Sequence, residues 1–126
     1  MSLSSLCRSF KFAFAGIGHA FKTQRNFRIH CGITLLVLVM GLGLRISFDQ
    51  WAILFVMIAL VFQAELVNTA LEALVDKVSP EIHSLAKVAK DCAAGAVLVT
   101  VMGAVVVGML IFGPKLWAVF QRLVLG

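Results

Sequence analysis

Glu65-Leu66-Val67-Asn68-Thr69-Ala70-Leu71-Glu72-Ala73-Leu74-Val75-Asp76 follows without a break on Trp51 to Ala64, 14 residues that carry no charge. One helix therefore enters an apolar phase and carries this polar segment with it. Glu65, Asn68, Glu72 and Asp76 recur at i, i+3, i+7 and i+11. At about 100° per residue they fall within about 80° of one another, a single stripe with Thr69 at its edge. The stripe is roughly 16 Å long, about half the hydrocarbon core of a bilayer. A row of polar acceptors thus runs from depth to surface on one face of an otherwise apolar helix. Ionisable groups at such depth are costly and mark functional sites.

Composition agrees with a membrane helix. The 126 residues are 61% hydrophobic and 13% charged, with a mean hydropathy of +1.02. No soluble core of this size hides so much apolar surface. The chain reads as an all-α integral membrane protein in one domain, 1–126. Lys and Arg outnumber Asp and Glu by 11 to 6. In a membrane protein that excess suits anionic lipid or a polyphosphate ligand, and no nucleic-acid partner is expected. Cys7, Cys31 and Cys92 are widely spaced with no Cys/His cluster, which supports neither a disulfide framework nor a zinc site. The first 28 residues lack the apolar core and small-residue cleavage site of a signal peptide.

In chain order, residues 1–28 read as an amphipathic surface helix. Phe10, Phe14, Ile17 and Phe21 form one apolar stripe, and Arg8, Lys11, His19 and Lys22 take the opposite side. Phe12 breaks the pattern on that polar side. A helix of this kind lies in the membrane interface, with Phe in lipid and Lys/Arg toward headgroups. A polar cluster, Thr23 to His30, leads into the first expected span, about 29–47. Arg45 to Gln50 reads as a short turn. The second span begins at Trp51, an interface residue, and runs to about Val75. Pro80 disfavours helix at Ser79, so 76–84 is a polar connection, and a new helix starts near Ser84. Cys92 to Gly113 is 22 residues without charge, the third span. Within it Cys92, Ala96, Thr100, Ala104 and Gly108 make a small-residue stripe for close helix packing, within a chain or between chains.

Charge orients these spans. Arg8, Lys11, Lys22, Arg25, Arg28, Lys77, Lys87 and Lys90 lie on one side, and only Arg45, Lys115 and Arg122 on the other. The positive-inside rule puts the N-terminus and the 76–91 connection in the cytoplasm. All the acidic residues except Asp49 lie between Glu65 and Asp91, on that same side, where ATP is available.

Two carboxylates on one helical face, an amide between them and nearby lysines suit a magnesium-polyphosphate site. Magnesium takes oxygen ligands, commonly one or two carboxylates plus phosphate oxygens. Phosphoryl transfer needs such a metal, a base for the attacking oxygen and cations on the transferred charge. Glu65, the deeper carboxylate, suits the base. Glu72, nearer the surface, suits the metal, and Lys90 and Asp91 suit the phosphates and metal. Glu and Asn in membrane helices also serve only to hydrogen-bond neighbouring helices; four in register argue for a site. No GxxxxGK[ST] or GxGxxG motif is present. A proton-coupled homo-oligomeric transporter built on Glu65 is the alternative from another class, and a structural membrane subunit is a third. Transport leaves Lys90-Asp91 and the acidic row at the surface unexplained. His19 and His30, alone in sequence, read as structural or interfacial.

The Glu65–Asp76 stretch resembles the signature of the bacterial integral-membrane diacylglycerol kinase family. His83-Ser-Leu-Ala-Lys-Val-Ala-Lys90-Asp91-Cys-Ala-Ala-Gly-Ala-Val resembles the family's second block. Arg25-Asn-Phe-Arg-Ile-His30 and Ile111-Phe-Gly-Pro-Lys-Leu116 look most like the branch that includes undecaprenol kinases of Gram-positive bacteria. The resemblance covers roughly residues 8 to 118. It implies a surface helix plus three transmembrane helices, assembled as a homotrimer in the bacterial cytoplasmic (inner) membrane, with the active site at the cytoplasmic boundary. It also implies transfer of the γ-phosphate of Mg-ATP to the hydroxyl of a membrane lipid, with undecaprenol favoured and diacylglycerol second. By motif position Glu65 matches the general base and Glu72 a metal ligand. Glu72, Asp76, Glu81, His83, Lys90 and Asp91 match nucleotide-contacting positions, and Glu65 and Asn68 line the lipid side. Gln24 stands where the family often has a metal-binding Glu; it keeps a carbonyl oxygen and lacks the charge.

Overall fold

The computed structural model describes residues 3–81 and 83–126, the Leu125 side chain excepted. Met1 and Ser2 of the expected surface helix and Ile82 of the expected connection lie outside the described residues. Four helices make up the fold: α1 (Leu3–Thr23), α2 (Arg25–Gly43), α3 (Phe48–Val78) and α4 (Ser84–Leu125). Three of them, α2, α3 and α4, are long and apolar enough to cross a membrane.

The surface helix ends earlier than the charge pattern suggests. Gln24 is extended (φ −99°, ψ 116°) and separates α1 from α2. Arg28, in the first turns of α2, donates to the carbonyls of Phe21 and Lys22 at 3.1 and 3.0 Å. A cation with several donors suits the unpaired carbonyls at a helix C-terminus. The polar cluster Arg25–His30 is therefore helical, and it caps the helix before it. On α1 only Ala20 is buried. Phe12, Ala13, Gly16, Ile17 and His19 line a groove against Leu66, Thr69, Ala70 and Ala73 of α3. Phe10, Phe14 and Phe21 stay exposed, free to meet lipid.

At the far end of the bundle α2 closes on paired C-terminal bonds. Arg45 N–H donates to Leu42 O and Ile46 N–H to Gly41 O. This is the Schellman arrangement, with Arg45 in the left-handed position (φ 48°) that glycine usually takes. Ser47 then caps α3, accepting from Gln50 N–H while Gln50 Oε1 accepts from Ser47 N–H. The core sits here: Ile46, Leu54, Ile111 and Phe112 are buried, with Trp51, Met40 and Leu44 packed on them. α4 continues through Pro114 to Leu125, and Lys115 reaches Arg45 O at 3.5 Å. The uncharged run 92–113 is thus the middle of a helix roughly 63 Å long, which exceeds a hydrocarbon core at both ends. α3 carries the packing: α4, α2 and α1 each lie on it, and α2 and α4 do not pack closely on each other.

Candidate active site

The end of the bundle opposite this core gathers the charge. Gln24, between α1 and α2, comes to the last turns of α3, and its Nε2 lies 3.4 Å from Glu72 Oε2. Asn68 Nδ2 donates to the other oxygen of the same carboxylate, Oε1, at 3.1 Å. Glu72 is therefore held from both sides while still partly accessible. Asn68 is buried, and its Oδ1 has no donor.

One turn further out, Asp76 Oδ1 meets Lys90 Nζ at 2.6 Å, joining α3 to α4 across the connection. On α4 Lys87 pairs with Asp91 within the helix. His83 caps α4: its Nδ1 accepts from Leu85 N–H at 3.2 Å. Asp76, Glu81, His83, Lys87, Lys90 and Asp91 line one open cleft of about 380 Å³ at the start of α4. A helix N-terminus flanked by two lysines suits an anionic ligand.

Glu65 lies apart from this wet cleft. It is 2% exposed, and Thr69 Oγ1 donates to its backbone carbonyl. Its Oε1 lies 3.1 Å from His30 Nε2 of α2. The approach is close but not aligned as a full hydrogen bond, and Oε1 has no other donor. His30 and Glu65 line a cleft of about 270 Å³ between α2 and α4, together with Asn26, Ala94, Val97 and Val101. His30 and Val101 also line a deeper cavity of about 210 Å³, otherwise bordered by residues such as Val37, Leu54, Met57 and Ile58. His30 and Val101 thus lie between the Glu65 cleft and the apolar cavity.

Nine residues single themselves out in the sequence: Gln24, Glu65, Asn68, Glu72, Asp76, Glu81, His83, Lys90 and Asp91. The fold brings eight of them to the charged end and sets Glu65 against α2. His30, read in the sequence as structural or interfacial, is brought beside Glu65, and Lys87 pairs with Asp91, whose face it shares with Lys90 by its i,i+4 spacing. Nothing local marks His30, because its partner lies on another helix.

Magnesium binding can be tested on the donor set. Among the described residues no three His, Cys, Asp or Glu side chains converge on one point. Magnesium commonly keeps waters and takes one or two carboxylates plus phosphate oxygens. Glu72, partly accessible, is the carboxylate that would offer itself here. Gln24 would join it once its amide turns over, exchanging Nε2 for Oε1 toward Glu72.

Three helices long and apolar enough to span a membrane, with carboxylates, amides and lysines collected at one end, define an all-α membrane protein. The comparisons with known proteins narrow this class. The family model of prokaryotic diacylglycerol kinase matches residues 11–112. An undecaprenol kinase of Bacillus subtilis is 42% identical over 114 residues, covering 90% of this chain and 93% of its own. A diacylglycerol kinase of Synechocystis sp. is 46% identical over 113 residues, covering 89% of this chain and 65% of its own. The diacylglycerol kinase of Escherichia coli K12 is 30% identical over 95 residues, 75% of this chain and 78% of its own. The chain belongs to the prokaryotic diacylglycerol kinase family. It is a membrane-bound lipid kinase, with ATP as co-substrate.

Proposed function

We propose that the chain transfers the γ-phosphate of Mg-ATP to the hydroxyl of undecaprenol, as a homotrimer in the bacterial cytoplasmic membrane with its N-terminus and active site on the cytoplasmic side. The observation that carries this reading is the pair of openings. Glu65 lines a cleft that shares His30 and Val101 with an apolar cavity, whereas Asp76, His83, Lys87 and Lys90 line a polar cleft at a helix N-terminus. A lipid alcohol and a nucleotide need opposite surroundings, and the stripe from Glu65 to Asp76 joins the two.

In this reading Glu65 accepts the hydroxyl proton as the lipid oxygen bonds to the γ-phosphorus and the bridging oxygen leaves with ADP. Lys90 and Lys87 meet the phosphate charge, and Asp76 and Asp91 hold those lysines in place. Glu81 and His83 border the nucleotide from the connection. Glu72 and Gln24 would hold magnesium, with Asn68 fixing the Glu72 carboxylate; the chemistry such an ion would supply there is charge neutralisation at the phosphates.

One observation supports assembly. Cys92, Ala96 and Thr100 line an open groove between α3 and α4, and a second copy seated there would gain the close packing that small residues allow. For the acceptor, the match to the Bacillus undecaprenol kinase runs nearly end to end in both chains. Diacylglycerol is the second reading, favoured by the 46% identity to the Synechocystis enzyme.

Phosphate transfer from labelled Mg-ATP in mixed micelles tests this, with undecaprenol and diacylglycerol offered separately. Label in undecaprenol above diacylglycerol is expected. The reverse order moves the acceptor to diacylglycerol, and no label in either removes the reading.

A further inference from the structure

His30 lies outside the polar stripe of α3, yet its ring is the nearest donor to the deepest carboxylate. Nε2 lies 3.1 Å from Glu65 Oε1, short of full hydrogen-bond alignment, and among the described residues no donor is aligned on that oxygen. A carboxylate this deeply buried needs such a partner. Phe27, one turn earlier on α2, packs at a tilt on Phe62 of α3 with centroids 5.0 Å apart, which sets α2 against α3 beside His30. His30 also borders both the cleft that contains Glu65 and the apolar cavity below it. An alcohol whose tail fills that cavity would bring its hydroxyl to this junction.

We infer that His30 is a positioning residue for the transfer step: its ring N–H holds Glu65 Oε1, which turns the other carboxylate oxygen toward the acceptor hydroxyl. This rests on the reading of Glu65 as the base. A Glu side chain has three rotatable bonds, and one fixed contact at Oε1 selects the rotamer that faces the cleft. In the step the hydroxyl oxygen bonds to the γ-phosphorus, the bond from phosphorus to the bridging oxygen breaks, and ADP leaves. The hydroxyl proton passes to Glu65. His30 keeps its own proton throughout, so it acts through Glu65 and touches no reacting atom.

The test compares His30→Gln with His30→Met in the full-length protein. Both fill much of the ring's volume, and only Gln keeps a donor. His30→Met is expected to lower kcat for lipid phosphorylation by about a hundredfold, the low end of what a correctly aligned base supplies, with KM for ATP unchanged. His30→Gln should recover most of that loss. Glu65→Gln combined with His30→Met should be no slower than Glu65→Gln alone, because two residues acting as one unit are lost together. Wild-type kcat in His30→Met, equal losses in both variants, additive losses in the double variant, or failure of either single variant to assemble would each overturn the proposal. Wild-type protein in the same assay separates the two readings. Wild-type transfer with an unimpaired His30→Met removes His30 alone, whereas no wild-type transfer to either lipid removes the kinase reading and this one with it.

Discussion

Gln24 Nε2 and Glu72 Oε2 lie 3.4 Å apart although 48 positions separate them, and no charge opposes the carboxylate at that contact. The extended backbone at Gln24, between two helices, is what turns its side chain toward α3. An amide beside a partly exposed carboxylate is a modest partner; a second carboxylate there would repel Glu72 until a cation bridged them.

Gln24→Glu is therefore expected to shift the magnesium titration of lipid phosphorylation to lower concentration. The same change should lower the thermal midpoint in chelator and restore it with magnesium. An unchanged titration would detach residue 24 from the metal.

Glu65→Gln should reduce transfer by about a thousandfold, within the usual range for loss of a general base. Assembly should persist, because the amide keeps the shape of the carboxylate and an oxygen for His30. The readouts are labelled-phosphate transfer and native mass of the detergent-solubilised particle, expected at three copies. Retained turnover would take the base role from Glu65; a broken oligomer would make it a packing residue.

Lys90→Met removes the partner of Asp76 at the mouth of the polar cleft. The expected result is a rise of about tenfold in KM for ATP, roughly the effect of one lost charge-assisted hydrogen bond to a bound group. KM for the lipid should stay unchanged, since Glu65 and its cleft lie elsewhere. Steady-state kinetics with each substrate varied in turn check this, and an effect on the lipid alone would contradict it.

Gly41→Ala probes the far end. A Cβ at Gly41 would lie 2.6 Å from Trp51 Cη2 and 2.9 Å from Cζ2, so the indole must move. Overpacking of this kind costs about 1–3 kcal/mol. A lower thermal midpoint with kcat unchanged is expected, because the contact lies at the opposite end of the bundle from Glu72 and Lys90. An unchanged midpoint would mean that the indole repacks freely.

Much of the site is legible in one helix. Glu65, Asn68, Glu72 and Asp76 share a face by spacing alone, and the link from Asn68 to Glu72 is the i,i+4 contact which that face implies. The Lys87–Asp91 pair is equally local. The helix boundaries are less legible. A charge-based reading carries the surface helix to residue 28, but the chain breaks at Gln24, because Arg28 caps α1 from within the next helix. Similarly, the uncharged run stops at Gly113, whereas α4 continues to Leu125.

The sequence by itself determined that this is a membrane protein of three spans, since apolar runs of that length have no other stable home, and it determined where the polar row lies, since helical periodicity is a local property. It also carried the family, in two motif blocks that each lie within one stretch of chain. Only the tertiary structure decided which helices the stripe faces. His30 against Glu65, Gln24 against Glu72 and Lys90 against Asp76 are contacts between elements. They depend on how α2 and α4 rotate and slide on α3, and that is set by close packing at Gly41, Trp51, Phe27 and Phe62. Those packing terms are sums over many weak contacts in three dimensions, and no spacing along the chain encodes them.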